Sequence, residues 1–184
     1  TRERMMNPHR GIYNEVKFAQ YGRKLGGDGD FSEYTYDLRG YIPVGLKNII
    51  HVNTLARYRP GTMPAYELYH AGGVNSLRTF EPDPEICGQH EVLATAEYRY
   101  ELFTNRQVTF YDMNGYYGLQ LVAGIDNAWE WLPDESFKEG RYYNSFYAGI
   151  HLLVPVLERV RLEFGINSVD TDEKTFKFGI NLGW

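Results

Sequence analysis

Histidine and cysteine, the side chains most often used for chemistry, are sparse in this 184-residue chain, which has five histidines and one cysteine. By its parity His51 could face the same side as Asp37 or Asp126, but no serine–histidine–aspartate order or metal-ligand spacing singles it out. Cys87 has no second cysteine with which to form a disulfide or a metal site. We therefore predict that the protein is not an enzyme and has neither a cofactor nor a metal.

Two loop segments have the composition of ligand-binding motifs without their spacing. No helix and no Walker lysine follow Gly72 and Gly73, so these glycines indicate loop geometry and not a phosphate site. The acidic segment 170–173 lacks the twelve-residue calcium pattern and is typical of a solvated loop. The net charge of -5 leaves no broad basic surface, which argues against a nucleic-acid partner.

The elements that position these residues are strands, because apolar residues alternate with small or polar residues along most of the chain. The alternation is clearest in residues 176–184, where every even-numbered residue is large and apolar. The pattern predicts eight strands and no helix. The predicted strands are residues 12–21, 31–42, 48–59, 91–102, 117–129, 146–154, 160–166 and 176–184.

The connections between the predicted strands alternate in length. Tight turns fall at residues 7–11, 43–47 and 155–158. The connections at 23–30, 59–89, 132–144 and 169–175 are mostly longer, and only 102–116 breaks the rule. Short periplasmic turns and long outer loops are typical of a transmembrane barrel, so this sorting also predicts an orientation.

Charged residues of the predicted strands have the parity opposite to the apolar residues of the same strand, as expected for an aqueous lumen. They are Arg57, Arg59, Glu97, Arg99, Glu101, Asp126, Arg161, Glu163 and Lys177. Strands of roughly 9 to 11 residues match a tilted membrane crossing, and 16% aromatic residues suit interface girdles. A soluble β-sandwich also alternates and is the alternative. We predict an all-β, antiparallel transmembrane β-barrel segment over residues 1–184.

Residues 69–80, YHAGGVNSLRTF, resemble the loop motif of the BamA, TamA and FhaC superfamily, also known as the bacterial surface antigen family. That motif ends in an apolar residue followed by Arg-Gly-Phe or Arg-Gly-Tyr. The matching positions are Gly72, Gly73, Ser76, Leu77, Arg78 and Phe80. Further matches at residues 7–11, 96–98 and 125–126 extend the resemblance over nearly the whole chain.

The resemblance implies that residues 60–89 form a long outer loop that folds back into the lumen. Its arginine would then pair with carboxylates on the two following strands, which here are Glu97 and Asp126. Parity places both carboxylates on the lumen face independently, so Arg78 is expected to be a structural latch. Thr79 stands where the family usually has glycine, and a β-branched residue has restricted dihedrals, so the loop tip is expected to sit differently.

Counting from the motif, the resemblance implies that the chain supplies strands nine to sixteen of a 16-stranded barrel. Residues 1–5 would be the tail of the eighth strand. The apolar alternation of the last predicted strand resembles the C-terminal signal by which outer-membrane proteins are recognised for insertion. That signal would comprise Phe176, Phe178, Ile180, Leu182 and Trp184.

The function implied is insertion or translocation of other proteins at the bacterial outer membrane. The implied partners are outer-membrane lipid and lipopolysaccharide, unfolded outer-membrane or secreted client proteins, and periplasmic or lipoprotein partners. One alternative is a barrel that anchors or exports a fused effector such as a patatin-like lipase. Another is a stand-alone eight-stranded barrel acting as a pore or anchor, which requires the last strand to pair with residues 12–21.

Overall fold

The computed structural model of the protein describes residues 8–22, 26, 28–73, 76–80, 87–110, 113–154, 158–167 and 174–181. A short 3-10 turn, Ala65–Glu67, lies between the fourth and fifth strands. In chain order the strands are β1 (Gly11–Gly22), β2 (Asp30–Pro43), β3 (Asn48–Tyr58), β4 (Gly61–Thr62), β5 (Tyr69–His70), β6 (Cys87–Gly88), β7 (His90–Phe110), β8 (Met113–Trp131), β9 (Arg141–Val154), β10 (Glu158–Asn167) and β11 (Lys174–Asn181).

All eight predicted strands are confirmed, and they pair in the order β1-β2-β3-β7-β8-β9-β10-β11. Every neighbouring pair is antiparallel, as expected for strands joined by successive hairpins. Strand β4 pairs with β2, and β5 with β6 forms a separate two-stranded sheet. The antiparallel all-β fold is therefore confirmed.

The sheet is open over the described residues, because β1 and β11 are the two ends of the strand path. The pairing between these strands that a stand-alone eight-stranded barrel requires is not seen there. The numbering of the strands as nine to sixteen remains a prediction. Among the described residues, no helix has the length and apolar character needed to cross a membrane.

The predicted connection at residues 102–116 is wrong, because β7 and β8 continue through most of it. β7 extends to Phe110 and β8 begins at Met113, so only residues 111–112 separate them. The pairing shifts register between Glu101 and Phe103 and again between Phe103 and Arg106. These irregularities break the period-two alternation and hide the strand in the sequence. The connection between β7 and β8 is therefore short, and it no longer departs from the alternation of short and long connections.

The two faces of the sheet have the reverse of the exposure found in a soluble protein. Leu121 is 41% exposed and Phe164 is 48% exposed, whereas Glu97 is 2% and Asp126 is 1% exposed. A soluble sandwich buries its apolar face and exposes its charges. A barrel wall instead turns its apolar face to lipid, so the exposure supports the transmembrane prediction.

Most of the predicted lumen charges are buried on the polar face. The buried ones are Glu97, Arg99, Glu101, Asp126, Arg161 and Glu163. Arg57 and Arg59 are half-buried. The side chain of Lys177 lies outside the described residues, as do the side chains of all of β11.

Candidate functional site

The connection between β3 and β7 lies against the polar face and is held at its base by several hydrogen bonds. Arg59 donates from Nε to Glu33 Oε2 at 2.6 Å and from Nη1 to the Glu67 carbonyl at 2.7 Å. Tyr69 Oη donates to the same Glu33 oxygen at 3.1 Å. Gln89 Nε2 donates to the Arg59 carbonyl at 2.6 Å. The base of the loop is therefore tied to β2 and to Arg59, the residue that follows β3.

The tip of this loop is a closed turn built from the predicted motif residues. The Gly73 amide donates to the Phe80 carbonyl at 2.8 Å, and the Gly72 amide donates to Ser76 Oγ at 2.8 Å. Gly72 and Gly73 have φ values of 152° and 88°, which side chains with a Cβ rarely adopt. The two glycines and the serine thus set the turn that presents Leu77 to Phe80.

A small apolar cluster anchors the tip to the sheet. Leu77 and Ala128 are fully buried, Ala71 is 1% exposed and Phe80 is 7% exposed. The Phe80 ring meets the Tyr143 ring edge-on, with 5.9 Å between the ring centroids. Burial of these side chains stabilises the loop position, since each buried Leu or Phe contributes about 1.5–3 kcal/mol.

Arg78 lies between the loop tip and four strands of the sheet. Its Nη1 is 2.7 Å from Glu97 Oε2 on β7 and 3.1 Å from Glu163 Oε1 on β10. Its Nε lies 3.4 Å from Asp126 Oδ2 on β8, an ion-pair distance, and its backbone amide donates to the same oxygen at 3.3 Å. The Arg78 guanidinium also lies over the Tyr147 ring, 3.9 Å from its centroid. One guanidinium therefore joins the loop to β7, β8, β9 and β10.

The acidic residues around Arg78 stabilise its charged form. Burial alone would lower the pKa of the guanidinium, but Glu97, Asp126 and Glu163 together hold that pKa above its ordinary value. Arg78 is 8% exposed, so water contributes little to its solvation. The carboxylates take the place of the missing water.

Each carboxylate around Arg78 has a second partner that orients it. Arg99 Nε donates to Glu97 Oε1 at 2.5 Å, and Tyr147 Oη donates to Glu97 Oε2 at 2.8 Å. Thr95 Oγ1 donates to Asp126 Oδ1 at 2.9 Å. His151 Nε2 lies 2.7 Å from Glu163 Oε1. The cluster is a connected polar network, which is rigid when its members are satisfied.

The structure brings together all the residues that the sequence assigned to the loop and its arginine. Arg78, Glu97 and Asp126 are in contact, and the motif residues form the tip beside them. The residues of the proposed C-terminal signal are less fully described. The β11 backbone pairs Phe176 with Phe164 and Phe178 with Leu162, and likewise Ile180 with Val160, whereas Leu182 and Trp184 lie outside the described residues.

Three members of the cluster were not predicted from the sequence: Glu163 and Tyr147, which contact Arg78, and His151, which contacts Glu163. Parity placed Glu163 on the lumen face but gave no reason to connect it with the loop. His151 falls in the predicted strand 146–154 but was given no role there; it lies within β9 and is 1% exposed. Tyr147 has the same odd parity as Gly149 and His151 within β9. This parity is the sequence signal that could have placed Tyr147 on the polar face.

Thr79, which replaces the glycine usual in the motif, occupies a matching space on β10. Thr79 is 4% exposed. A Cβ on Gly165 would come within 2.4 Å of the Thr79 Cγ2 atom, so the absent side chain of Gly165 makes room for the threonine methyl. The change from glycine at the loop tip is thus accommodated by a glycine on the facing strand.

One known protein family matches the whole chain. The family model described as Omp85 superfamily domain matches residues 1–184. None of the curated proteins matches the chain. The family match covers every strand of the sheet and the loop that carries Arg78.

Proposed function

Because the chain belongs to the Omp85 superfamily, we propose that it is part of an outer-membrane barrel in which Arg78 latches the β3–β7 loop inside the lumen. Members of this superfamily are bacterial outer-membrane proteins that insert or translocate protein clients and are generally not enzymes. The observation that carries the proposal is the convergence of Glu97, Asp126 and Glu163 on one loop arginine. The loop would keep the lumen occupied and the wall rigid while clients are handled at the barrel.

The latch is stabilising because its charges are buried and paired. Removing one partner from a buried ion pair leaves the other charge uncompensated and costs roughly 3–5 kcal/mol, less where water enters. Arg78 faces three carboxylates, so its loss removes the cation that they share, although Glu97 still pairs with Arg99. Among the described residues, the tip would then keep its apolar cluster and the hydrogen bond from the Ala71 amide to Glu130 Oε1.

The partners that fit this function are proposed from the same architecture. The exposed apolar face suits outer-membrane lipid, with lipopolysaccharide at its outer rim. Unfolded outer-membrane or secreted proteins are the proposed clients. Periplasmic or lipoprotein partners would bind at the short turns, the side predicted to face the periplasm.

Replacing Arg78 with alanine tests the latch. In Arg78→Ala we expect the free energy of unfolding to fall by roughly 3 kcal/mol and client insertion to slow, because the carboxylates lose their cation. Urea titration of the full protein in lipid vesicles and a client-folding assay measure the two effects. Arg39→Ala is the matched control, since Arg39 pairs with Asp37 on β2, away from the loop tip. If Arg78→Ala behaves like Arg39→Ala in both assays, the latch proposal is wrong.

A further inference from the structure

Three side chains able to ligate a metal converge beside Arg78. Glu97, His151 and Glu163 each offer one ligand atom, and these atoms all lie within 4.8 Å of one another. None of the three residues is more than 2% exposed. They come from β7, β9 and β10, so the sheet itself fixes their spacing. One imidazole with two carboxylates is a donor set that zinc accepts, with bond lengths of about 2.0–2.2 Å.

The Arg78 guanidinium occupies the position that a metal would take. Its Nη1 lies 2.7 Å from Glu97 Oε2 and 3.1 Å from Glu163 Oε1, so both carboxylates already direct an oxygen at one positive group. Arg99 binds the other oxygen of Glu97, and therefore Oε2 is the oxygen that depends on Arg78 for a cation. The loop and a metal ion cannot both use these oxygens.

Withdrawal of the loop would leave the carboxylates buried without this cation. Glu163 Oε2 and His151 Nδ1 have no hydrogen-bond partner among the described residues, so part of the cluster is already unsatisfied. An uncompensated buried carboxylate is strongly unfavourable. A replacement cation would relieve the cost, and the imidazole of His151 selects a transition metal over magnesium or calcium.

We propose that Glu97, His151 and Glu163 form a zinc-type metal site that competes with Arg78, so that metal binds when the loop leaves the polar face. The coupling is reciprocal: the docked loop weakens metal binding, and bound metal shifts the loop towards its withdrawn position. This inference rests on the proposed latch and adds a ligand that would release it. It also departs from the sequence prediction that the chain has no metal site.

Binding of Co²⁺ to the metal-free full protein in detergent tests the proposal, because tetrahedral cobalt is measured by its visible absorption. Arg78→Ala is expected to bind one Co²⁺ at least about tenfold more tightly than the unaltered protein, since the competing cation is gone. Adding His151→Ala or Glu163→Gln to Arg78→Ala should abolish that binding. His51→Ala in the same background is the matched control and should retain it, because His51 lies beside Arg99 and outside the donor set.

Absence of Co²⁺ binding by folded Arg78→Ala, or equal binding after His151→Ala, would overturn the proposal. If Arg78→Ala does not fold, the unaltered protein provides the second test. Zn²⁺ should then increase protease cleavage within residues 60–89, and Glu163→Gln should remove that increase; unchanged cleavage would also refute the metal site. These metal-binding and cleavage measurements test the metal site separately from the latch. The latch is tested by the free energy of unfolding and by client insertion.

Discussion

Thr79 illustrates how one side chain at the loop tip depends on another across the site. The threonine methyl fills the space that the absent side chain of Gly165 leaves on β10. Both residues lie beside the Arg78 cluster, since Gly165 is paired in register with Tyr147 of β9. Close packing of this kind contributes to stability because a gap forfeits the contacts of its lining atoms.

Removing only that methyl should weaken the packing of the loop. In Thr79→Ser we expect the free energy of unfolding to fall by about 1 kcal/mol, as for loss of one buried methyl group. Urea unfolding in lipid vesicles gives the difference. Thr62→Ser is the control. Thr62 is exposed in β4, so loss of its methyl should change the free energy of unfolding little. Equal unfolding midpoints for the two variants would show that the Thr79 methyl does not pack against Gly165.

At the level of the strands, period-two alternation was sufficient to predict the eight strands of the main path, because alternation is a local property of the chain; the two-residue strand β4 was not predicted. It failed in residues 102–116, where the register shifts near Phe103 interrupt the pattern. The cluster was only partly predictable. Glu97 and Asp126 followed from the family resemblance, but Glu163 lies 85 residues from Arg78, and no local pattern encodes that contact.

Gly124 of β8 allows a side chain of the neighbouring strand to reach the cluster. A Cβ at this position would meet the Tyr147 ring and the Ala96 carbonyl oxygen. The glycine thus lets the Tyr147 ring lie across β8. The ring's hydroxyl, Oη, then donates a hydrogen bond to Glu97 Oε2 at 2.8 Å. Contact between β8 and β9 and the geometry of the latch therefore depend on the same missing side chain.

Introducing a methyl at Gly124 should displace the Tyr147 ring. In Gly124→Ala we expect a loss of about 1–3 kcal/mol in the free energy of unfolding, the usual cost of overpacking. A double-mutant cycle with Tyr147→Ala checks the cause, since removal of the ring should reduce the cost of the added methyl. An identical cost with and without the ring would assign the effect to the Ala96 carbonyl instead.

For the whole molecule, the distribution of polarity is the feature that connects the fold to the membrane. Buried Glu97, Asp126 and Glu163 lie on the face that holds the loop, while large apolar side chains cover the other face. The two hydrogen-bonding edges at β1 and β11 are the ends of the strand path. In lipid such edges must be paired, so further strands are expected to complete the wall.

A charge placed on the apolar face distinguishes a lipid-facing wall from a water-facing surface. Leu121 lies near the middle of β8, 41% exposed, between Tyr100 and Ile150 of the adjacent strands. In lipid vesicles, Leu121→Arg should lower the free energy of unfolding by about 2–4 kcal/mol, whereas Tyr142→Arg near the end of β9 should cost about 0–1 kcal/mol. Exposed positions in a soluble protein would tolerate both changes within about 0.5 kcal/mol. A large cost at Leu121 that vanishes towards Tyr142 is therefore a signature that only burial in the bilayer would produce.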